Sequence, residues 1–155
     1  MTTWKLHTTR ALLVATATLF PIGGSDAQPA TGTQVAAKGD AMLVHYLEIV
    51  TPDVDATCGA LEKLHGVSFG APDAALGNAR TAELQGGGMI GVRAPMHDGE
   101  HPVVRPYVLV DDIDAAVKAA EAAGAPIIVP PMELPGHGKC AIYVVGGIQH
   151  GLWQR

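Results

Sequence analysis

The chain has 155 residues, of which 48% are hydrophobic, and this suits a single domain with a core of its own. Its formal net charge is −5, and residues 28–155 hold 8 Lys and Arg against 14 Asp and Glu, a net charge of −6. The acidic balance and the lack of a basic stripe argue against nucleic acid as a partner.

The N-terminus has the pattern of a secretory signal peptide over residues 1–27. Lys5 and Arg10 give it a positive start, and a mainly apolar run follows them. Ser25 and Ala27 place small side chains at the two positions that a signal peptidase reads. Because the apolar run is too short to span a bilayer comfortably, we expect no stable membrane insertion after cleavage. An uncleaved anchor is the alternative.

Cleavage at this site predicts a mature protein that begins near Gln28. Residues 28–41 are rich in Ala, Gly and Thr and are expected to form a flexible leader. We therefore expect a bacterial protein that is periplasmic or secreted.

Hydrophobic periodicity predicts two helices, at residues 54–65 and 113–123. Each helix follows an aspartate that can cap it and precedes a glycine that can end it. Short apolar runs predict strands at residues 42–50, 67–70, 79–85, 89–93, 103–110, 127–129, 139–145 and 148–154. The predicted order is therefore a strand, a helix and three strands, twice over.

The two halves also resemble each other in sequence. With a shift of 59 residues, the run 53–56 falls on 112–115, and with a shift of 60, Gly91 falls on Gly151. Repetition of this kind predicts one domain over residues 42–155, built by internal duplication from modules at 42–94 and 103–155. Such a domain has a natural ligand site in the cleft between its modules.

The order of these motifs resembles the vicinal oxygen chelate superfamily, which includes glyoxalases, bleomycin-resistance proteins and extradiol dioxygenases. Leu-Glu-Ile at 47–49 followed by Pro-Asp-Val-Asp at 52–55 carries the resemblance in the first half, and residues 108–117 carry it in the second. The ending Gly-Leu-Trp-Gln at 151–154 is similar to that of many metal-free members. The resemblance covers residues 42–154 and implies an α+β fold, with two paired βαβββ modules that form a curved mixed sheet around a cleft.

The resemblance also implies where a metal ion would bind, because metal-dependent members take one ligand from the first and one from the last strand of each module. Here these positions fall on Tyr46, Gly91, Arg105 and Gly151. Glycine has no side chain and arginine offers only hydrogen-bond donors, so neither can ligate a cation. We therefore expect a metal-free type with no metal ion and no other cofactor.

Two smaller groups of residues leave alternatives open. His97 and His101 share an acidic loop that can bind an adventitious ion or can simply be solvated. Cys58 and Cys140 can form a disulfide in an exported chain, although Cys58 lies on the apolar stripe of the first helix and reads as a core residue.

Alternation along the strands predicts which side chains face the cleft. The predicted ligand-binding residues are Tyr46, Glu48, Met89, Arg93, Arg105, Tyr107, Gln149 and Trp153. Aromatic walls with two arginines and one carboxylate suit an organic ligand that has an aromatic or anionic part. The alternative is that the carboxylate and the arginines neutralise each other in a filled interior.

These observations favour an exported protein that binds a small organic molecule in its cleft without a metal. A metal-independent lyase or isomerase is the alternative, with Glu48 or Tyr46 as its acid or base. A further alternative is an interaction protein in which the cleft is vestigial or forms the seam of a homodimer.

Overall fold

The computed structural model describes residues 42–155, so the predicted signal peptide and leader lie outside the described residues. The strands are β1 (Val44–Val50), β2 (Arg80–Glu83), β3 (Met89–Arg93), β4 (Val103–Leu109), β5 (Ile127–Leu134), β6 (Gly138–Val145) and β7 (Ile148–Gln154). The helices are α1 (Val54–His65) and α2 (Ile113–Ala122), and a short 3₁₀ turn covers Ala74–Leu76. In this part of the chain neither helix has the length and apolarity that crossing a bilayer requires.

The helices form where the sequence predicts them, but their N-termini differ. Asp112 caps α2, because its side chain accepts a hydrogen bond of 2.9 Å from the backbone of Ala115. Asp53 makes no such bond to α1, and its own N–H donates to Thr51 Oγ1 instead. Gly66 ends α1 in the left-handed conformation (φ 67°), as the sequence predicts.

The seven strands form one mixed sheet in the order β2-β3-β1-β4-β7-β6-β5. At its centre β1 and β4 are antiparallel, while β1 pairs with β3 and β4 with β7 in parallel. The two parallel pairs have corresponding registers: Glu48 lies opposite Gly91, and Tyr107 lies opposite Gly151. This confirms the predicted α+β class with a curved mixed sheet.

Apolar side chains pack on both faces of the sheet. Cys58 of α1 packs with Phe69 and Val92, and α2 packs through Ile113 and Val117 on Leu152. A third cluster covers the opposite face, which we call the inner face, and consists of Tyr46, Leu76, Ala79, Tyr107, Leu134, Cys140, Ile142 and Trp153. The two cysteines are free and lie in different clusters. The period of two in the strands therefore separates the helix-covered face from the inner face, as alternation predicts.

The second strand predicted for the first half, at residues 67–70, is wrong. Residues 67–70 contribute a single backbone hydrogen bond toward β2, from Gly70 N to Thr81 O at 2.8 Å. The amide of Phe69 is bound by the side chain of Glu62 at 3.0 Å, so it is not available to a ladder. In the second half, β5 is longer than the predicted run at 127–129, because it continues through Pro130 to Leu134 at the edge of the sheet, where a missing N–H is tolerated.

One contact joins the far ends of the two halves. Asp73, beside the 3₁₀ turn, lies 2.8 Å from Nε2 of His137 in the turn between β5 and β6. The carbonyl of His137 also accepts a hydrogen bond of 3.0 Å from Nε1 of Trp153. The sheet is not closed, but these contacts join the 3₁₀ turn of the first half to the β5–β6 turn of the second across the inner face.

Candidate functional site

The inner face encloses a cavity of about 710 Å³. Its walls come from both halves of the sheet, from the 3₁₀ turn, and from the loop over residues 94–102 that joins the halves. Three apolar side chains at its rim, Met96, Ile128 and Ile148, are exposed, so the cavity reaches solvent. A volume of this size is typical of small-molecule sites.

The structure brings seven of the eight predicted ligand-binding residues to this one cavity. They are Tyr46, Glu48, Arg93, Arg105, Tyr107, Gln149 and Trp153. Met89 is the exception: it is not part of the cavity wall and packs instead against the aromatic cluster beneath it. Alternation predicted the correct face of the sheet for Met89, since it packs against the cluster on that face, but it did not predict which side chains of the face reach the cavity.

Three aromatic rings form the floor of the cavity. The ring centroids of Tyr46 and Trp153 lie 5.2 Å apart, those of Tyr46 and Tyr107 lie 5.4 Å apart, and those of Tyr107 and Trp153 lie 5.8 Å apart. All three side chains are buried. Because these separations are typical of favourable tilted and edge-to-face pairs, the floor is a packed aromatic cluster with one face toward the cavity.

Two glycines make room for this cluster. A Cβ atom at Gly91 would overlap the hydroxyl oxygen of Tyr46 and lie 2.6 Å from its Cε2 and Cζ atoms. A Cβ atom at Gly151 would likewise overlap Cδ1 and Cγ of Tyr107 and lie 2.5 Å from its Cε1 atom. The tyrosine rings therefore fill the spaces that side chains at these two positions would occupy.

Beside the aromatic floor lies a buried cluster of charged groups centred on Glu48. Its Oε1 accepts a hydrogen bond of 2.6 Å from Nε of Arg93. Its Oε2 accepts hydrogen bonds from Nη1 of Arg105 and, at 3.2 Å, from the hydroxyl of Tyr107. Both oxygens of this carboxylate are therefore occupied by groups of the protein itself.

Two further side chains accept hydrogen bonds from other nitrogen atoms of the two arginines. Glu100 accepts from both terminal nitrogens of Arg93 at 2.7 Å, and this paired contact holds the pKa of Glu100 at about 2. Gln149 accepts from Nε of Arg105 at 3.0 Å and from its Nη2. The formal charges of the two arginines and two glutamates sum to zero. Glu48 and the arginines pair as the alternative expected, but a second carboxylate takes part and the interior is not filled.

Sequence reasoning missed the role of Glu100. Its loop, residues 97–101, attracted attention for its histidines, and His97 and His101 do line the rim of the cavity. The role of Glu100 could have been predicted from its position in the connection between β3 and β4, because these strands carry Arg93 and Arg105. Within residues 42–155 no group of three or more His, Cys, Asp or Glu side chains is arranged to hold a metal ion.

The residues at the metal-ligand positions of the superfamily do not fit a cation. Arg105 brings a positive charge to one position, and the space at Gly91 and Gly151 is filled by tyrosine rings. Tyr46 is left as a single oxygen donor, whereas a stable site takes several N, O or S ligands. The chemistry of this donor set therefore disagrees with metal binding at these positions.

Several proton-carrying groups of the cavity floor are buried, and burial favours their protonated forms. Burial, together with the nearby charge of Glu48, raises the pKa values of Tyr46 and Tyr107 well above the ordinary range of tyrosine. Burial also raises the pKa of the Cys140 thiol to about 11. Tyr46 has the only hydroxyl, amine or carboxyl atom that is buried without a hydrogen-bond partner among the described side chains. The arrangement favours hydrogen bonding and packing over proton abstraction.

Comparisons with known proteins give a consistent picture of the fold. No family model and no curated protein matches the chain. Among solved structures, methylmalonyl-CoA epimerase from Mycobacterium tuberculosis is similar over 70% of this chain and 85% of its own, with 15% identity and a TM-score of 0.57. A hypothetical protein from Bacillus halodurans C-125 is similar over 74% of this chain and 95% of its own, with 11% identity and a TM-score of 0.60.

A third solved structure is a variant of methylmalonyl-CoA epimerase from Streptomyces coelicolor in complex with 2-nitronate-propionyl-CoA. It is similar over 72% of this chain and 95% of its own, with 14% identity and a TM-score of 0.53. At such identities the likeness bears on the fold alone. The chain shares its fold with methylmalonyl-CoA epimerases.

Proposed function

We propose that this chain is an exported bacterial protein that binds a small organic molecule in its inner cavity without a metal ion. The observation that carries the proposal is the cavity of about 710 Å³, which reaches solvent and has an aromatic floor and mainly apolar walls. Concave apolar sites with a few polar groups are the usual form of small-molecule sites. A similar fold holds an organic ligand in the complex of methylmalonyl-CoA epimerase with methylmalonyl-CoA, and this supports an organic molecule as the ligand.

The metal-free part of the proposal rests on the donor set. The four positions that would supply ligands hold a tyrosine, an arginine and two glycines. Elemental analysis of the purified protein is expected to find no stoichiometric divalent metal, and one tightly held metal per chain would contradict this part.

Export is supported by the residues of the predicted signal, which lie outside the described part of the structure. N-terminal sequencing of protein from the cell envelope is expected to begin at or near Gln28. An intact Met1 on membrane-bound material would contradict export with cleavage.

The two alternatives fit the geometry less well. A lyase or isomerase that uses Glu48 or Tyr46 needs one of them to take or give a proton, but both oxygens of Glu48 are occupied. Burial raises the pKa of Tyr46, so its hydroxyl is a weak acid and does not ionise to act as a base. An interaction protein with a vestigial cleft would be expected to have a filled interior, whereas this cavity is large enough for a ligand. A homodimer remains compatible with the binding proposal.

The test uses the single tryptophan of residues 28–155. Trp153 lies in the cavity floor, so quenching of its fluorescence together with a raised melting temperature identifies a bound compound in a screen of aromatic molecules. A matched pair of variants locates the site. Ile128→Trp places a large side chain at the rim, and Leu64→Trp adds the same side chain to an exposed position on α1.

Calorimetric titration with the compound found in the screen then measures whether it binds in the cavity. Ile128→Trp is expected to weaken binding about tenfold or more because it narrows the cavity, and Leu64→Trp is expected to bind as the wild type does. A screen without any binder, or equal loss in both variants, would contradict the proposal.

A further inference from the structure

We infer that the cavity selects uncharged ligands, and that Glu100 is the residue that sets this selectivity. The inference rests on the proposed function and deepens it by naming the ligand class. Of the aromatic or anionic part that the sequence predicts for the ligand, the inference keeps the aromatic part and leaves out the anionic one.

Glu100 occupies the place where an anionic ligand would otherwise bind. An arginine binds a carboxylate best through two parallel hydrogen bonds, and Arg93 makes both of these with Glu100 at 2.7 Å. A third hydrogen bond of 2.8 Å from the backbone of Met96 fixes the same carboxylate. Only 14% of the Glu100 side chain and 4% of the Arg93 side chain are exposed. The best anion-binding arrangement in the cavity is therefore filled by the protein's own loop.

The second arginine offers no comparable place. Arg105 directs Nη1 to Glu48, while its Nε and Nη2 donate to Gln149. An incoming anion would have to displace one of these partners or lie unpaired beside two carboxylates. Burying an unpaired charge is costly, and like charges at short distance repel.

Glu100 also competes from within the chain. Because its loop is tethered at both ends to β3 and β4, its carboxylate meets Arg93 at a high effective concentration that a free anion has to exceed. A neutral molecule has no such competitor. It needs apolar contact with the aromatic floor and walls, which the cavity supplies.

The experiment compares a charged and an uncharged ligand of the same shape. The dye Nile red, which is neutral and fluoresces in apolar sites, reports occupancy of the cavity. 2-Naphthamide and 2-naphthoate then compete for it, and they differ mainly in charge. The proteins are the wild type, Glu100→Gln, and the control Asp98→Asn, which makes the same change of charge at an exposed position of the same loop.

In the wild type we expect naphthamide to displace Nile red at lower concentration than naphthoate. In Glu100→Gln we expect the affinity for naphthoate, relative to that for naphthamide, to rise about tenfold or more, because Arg93 loses its charged partner. In Asp98→Asn we expect this relative affinity to stay as in the wild type. Any other pattern of displacement of bound Nile red overturns the inference alone. Failure of Nile red to bind the folded wild type overturns the proposed function as well.

Discussion

The two halves of the sheet share a backbone arrangement, but at corresponding positions one half has a charged side chain where the other has an aromatic one. Glu48 lies opposite Gly91 in the first half, and Tyr107 lies opposite Gly151 in the second. A carboxylate in one half therefore corresponds to an aromatic ring in the other. Two residues beyond these glycines, at corresponding positions of β3 and β7, the first half has Arg93 and the second has Trp153.

The exchange also runs in the other direction, because Tyr46 of β1 corresponds to Arg105 of β4 at the shift of 59 residues. Antiparallel pairing of these strands places Tyr46 beside Tyr107 and Glu48 beside Arg105. The two tyrosines, one from each half, therefore lie side by side, and so do the carboxylate and the arginine. The cavity has an ionic side and an aromatic side as a result. The corresponding backbones therefore fix positions in space, while the side chains at those positions determine what the cavity can bind.

The largest expected loss of stability comes from disrupting the ionic side of the cavity. Glu48→Gln removes the carboxylate that lies between two buried arginines, and loss of one partner of a buried ion pair typically costs about 3–5 kcal/mol. Urea unfolding measures the change. Glu133→Gln is the control, because its contact with Lys139 is exposed and such pairs contribute under about 1 kcal/mol. Equal effects of the two substitutions would show that the cluster around Glu48 is not structural.

The next effect concerns acid stability. The pKa of Glu100 is lowered from 4.5 to about 2, so in this pH range the unfolded chain binds more protons than the folded one. The stabilisation is therefore present above about pH 4.5 and is lost as the pH falls toward 2. On the order of 2–3 kcal/mol is involved. Glu100→Gln is expected to flatten the dependence of unfolding free energy on pH in this window, whereas Glu133→Gln leaves it in place.

A third prediction compares the glycines beneath the two tyrosines. Gly151→Ala forces a Cβ into the Cγ end of the Tyr107 ring, which is fixed close to the backbone, and overpacking of this kind costs about 1–3 kcal/mol. Gly91→Ala meets the hydroxyl end of Tyr46, which can move further, so we expect a smaller loss. Thermal unfolding measures both, with Gly59→Ala as the control, since nothing lies within 4 Å of its added Cβ. That control is expected to stabilise α1 by about 0.5–1 kcal/mol, and a larger loss for Gly91→Ala than for Gly151→Ala would contradict the packing described.

The smallest effects come from the hydroxyls of the same two tyrosines. Tyr107→Phe removes a hydrogen bond of 3.2 Å to Glu48 and is expected to cost about 1.5 kcal/mol. Tyr46→Phe removes a buried hydroxyl that has no partner, so its expected effect is neutral or slightly stabilising. Denaturant midpoints of the two variants test the difference. A larger loss for Tyr46→Phe would indicate that its hydroxyl is bound in solution.

Local patterns in the sequence predicted much of the site. Period-two alternation placed Tyr46 and Glu48 on the inner face, because successive side chains of a strand point to opposite faces whatever the rest of the fold does. Local patterns were less useful where bonding is not regular. The segment at 67–70 has an apolar, strand-like composition, but the side chain of Glu62 binds its backbone and only one hydrogen bond reaches β2.

Neighbouring residues in the sequence were therefore enough to predict the helices and the faces of the strands, since both follow from local periodicity. Only the tertiary structure decided how the charges pair. Glu48 and Arg105 are 57 residues apart in the chain, and Glu100 reaches Arg93 from a loop without regular periodicity. Ion pairs depend on distances of a few ångströms between side chains from different elements, and these distances exist only after the strands have assembled into the sheet.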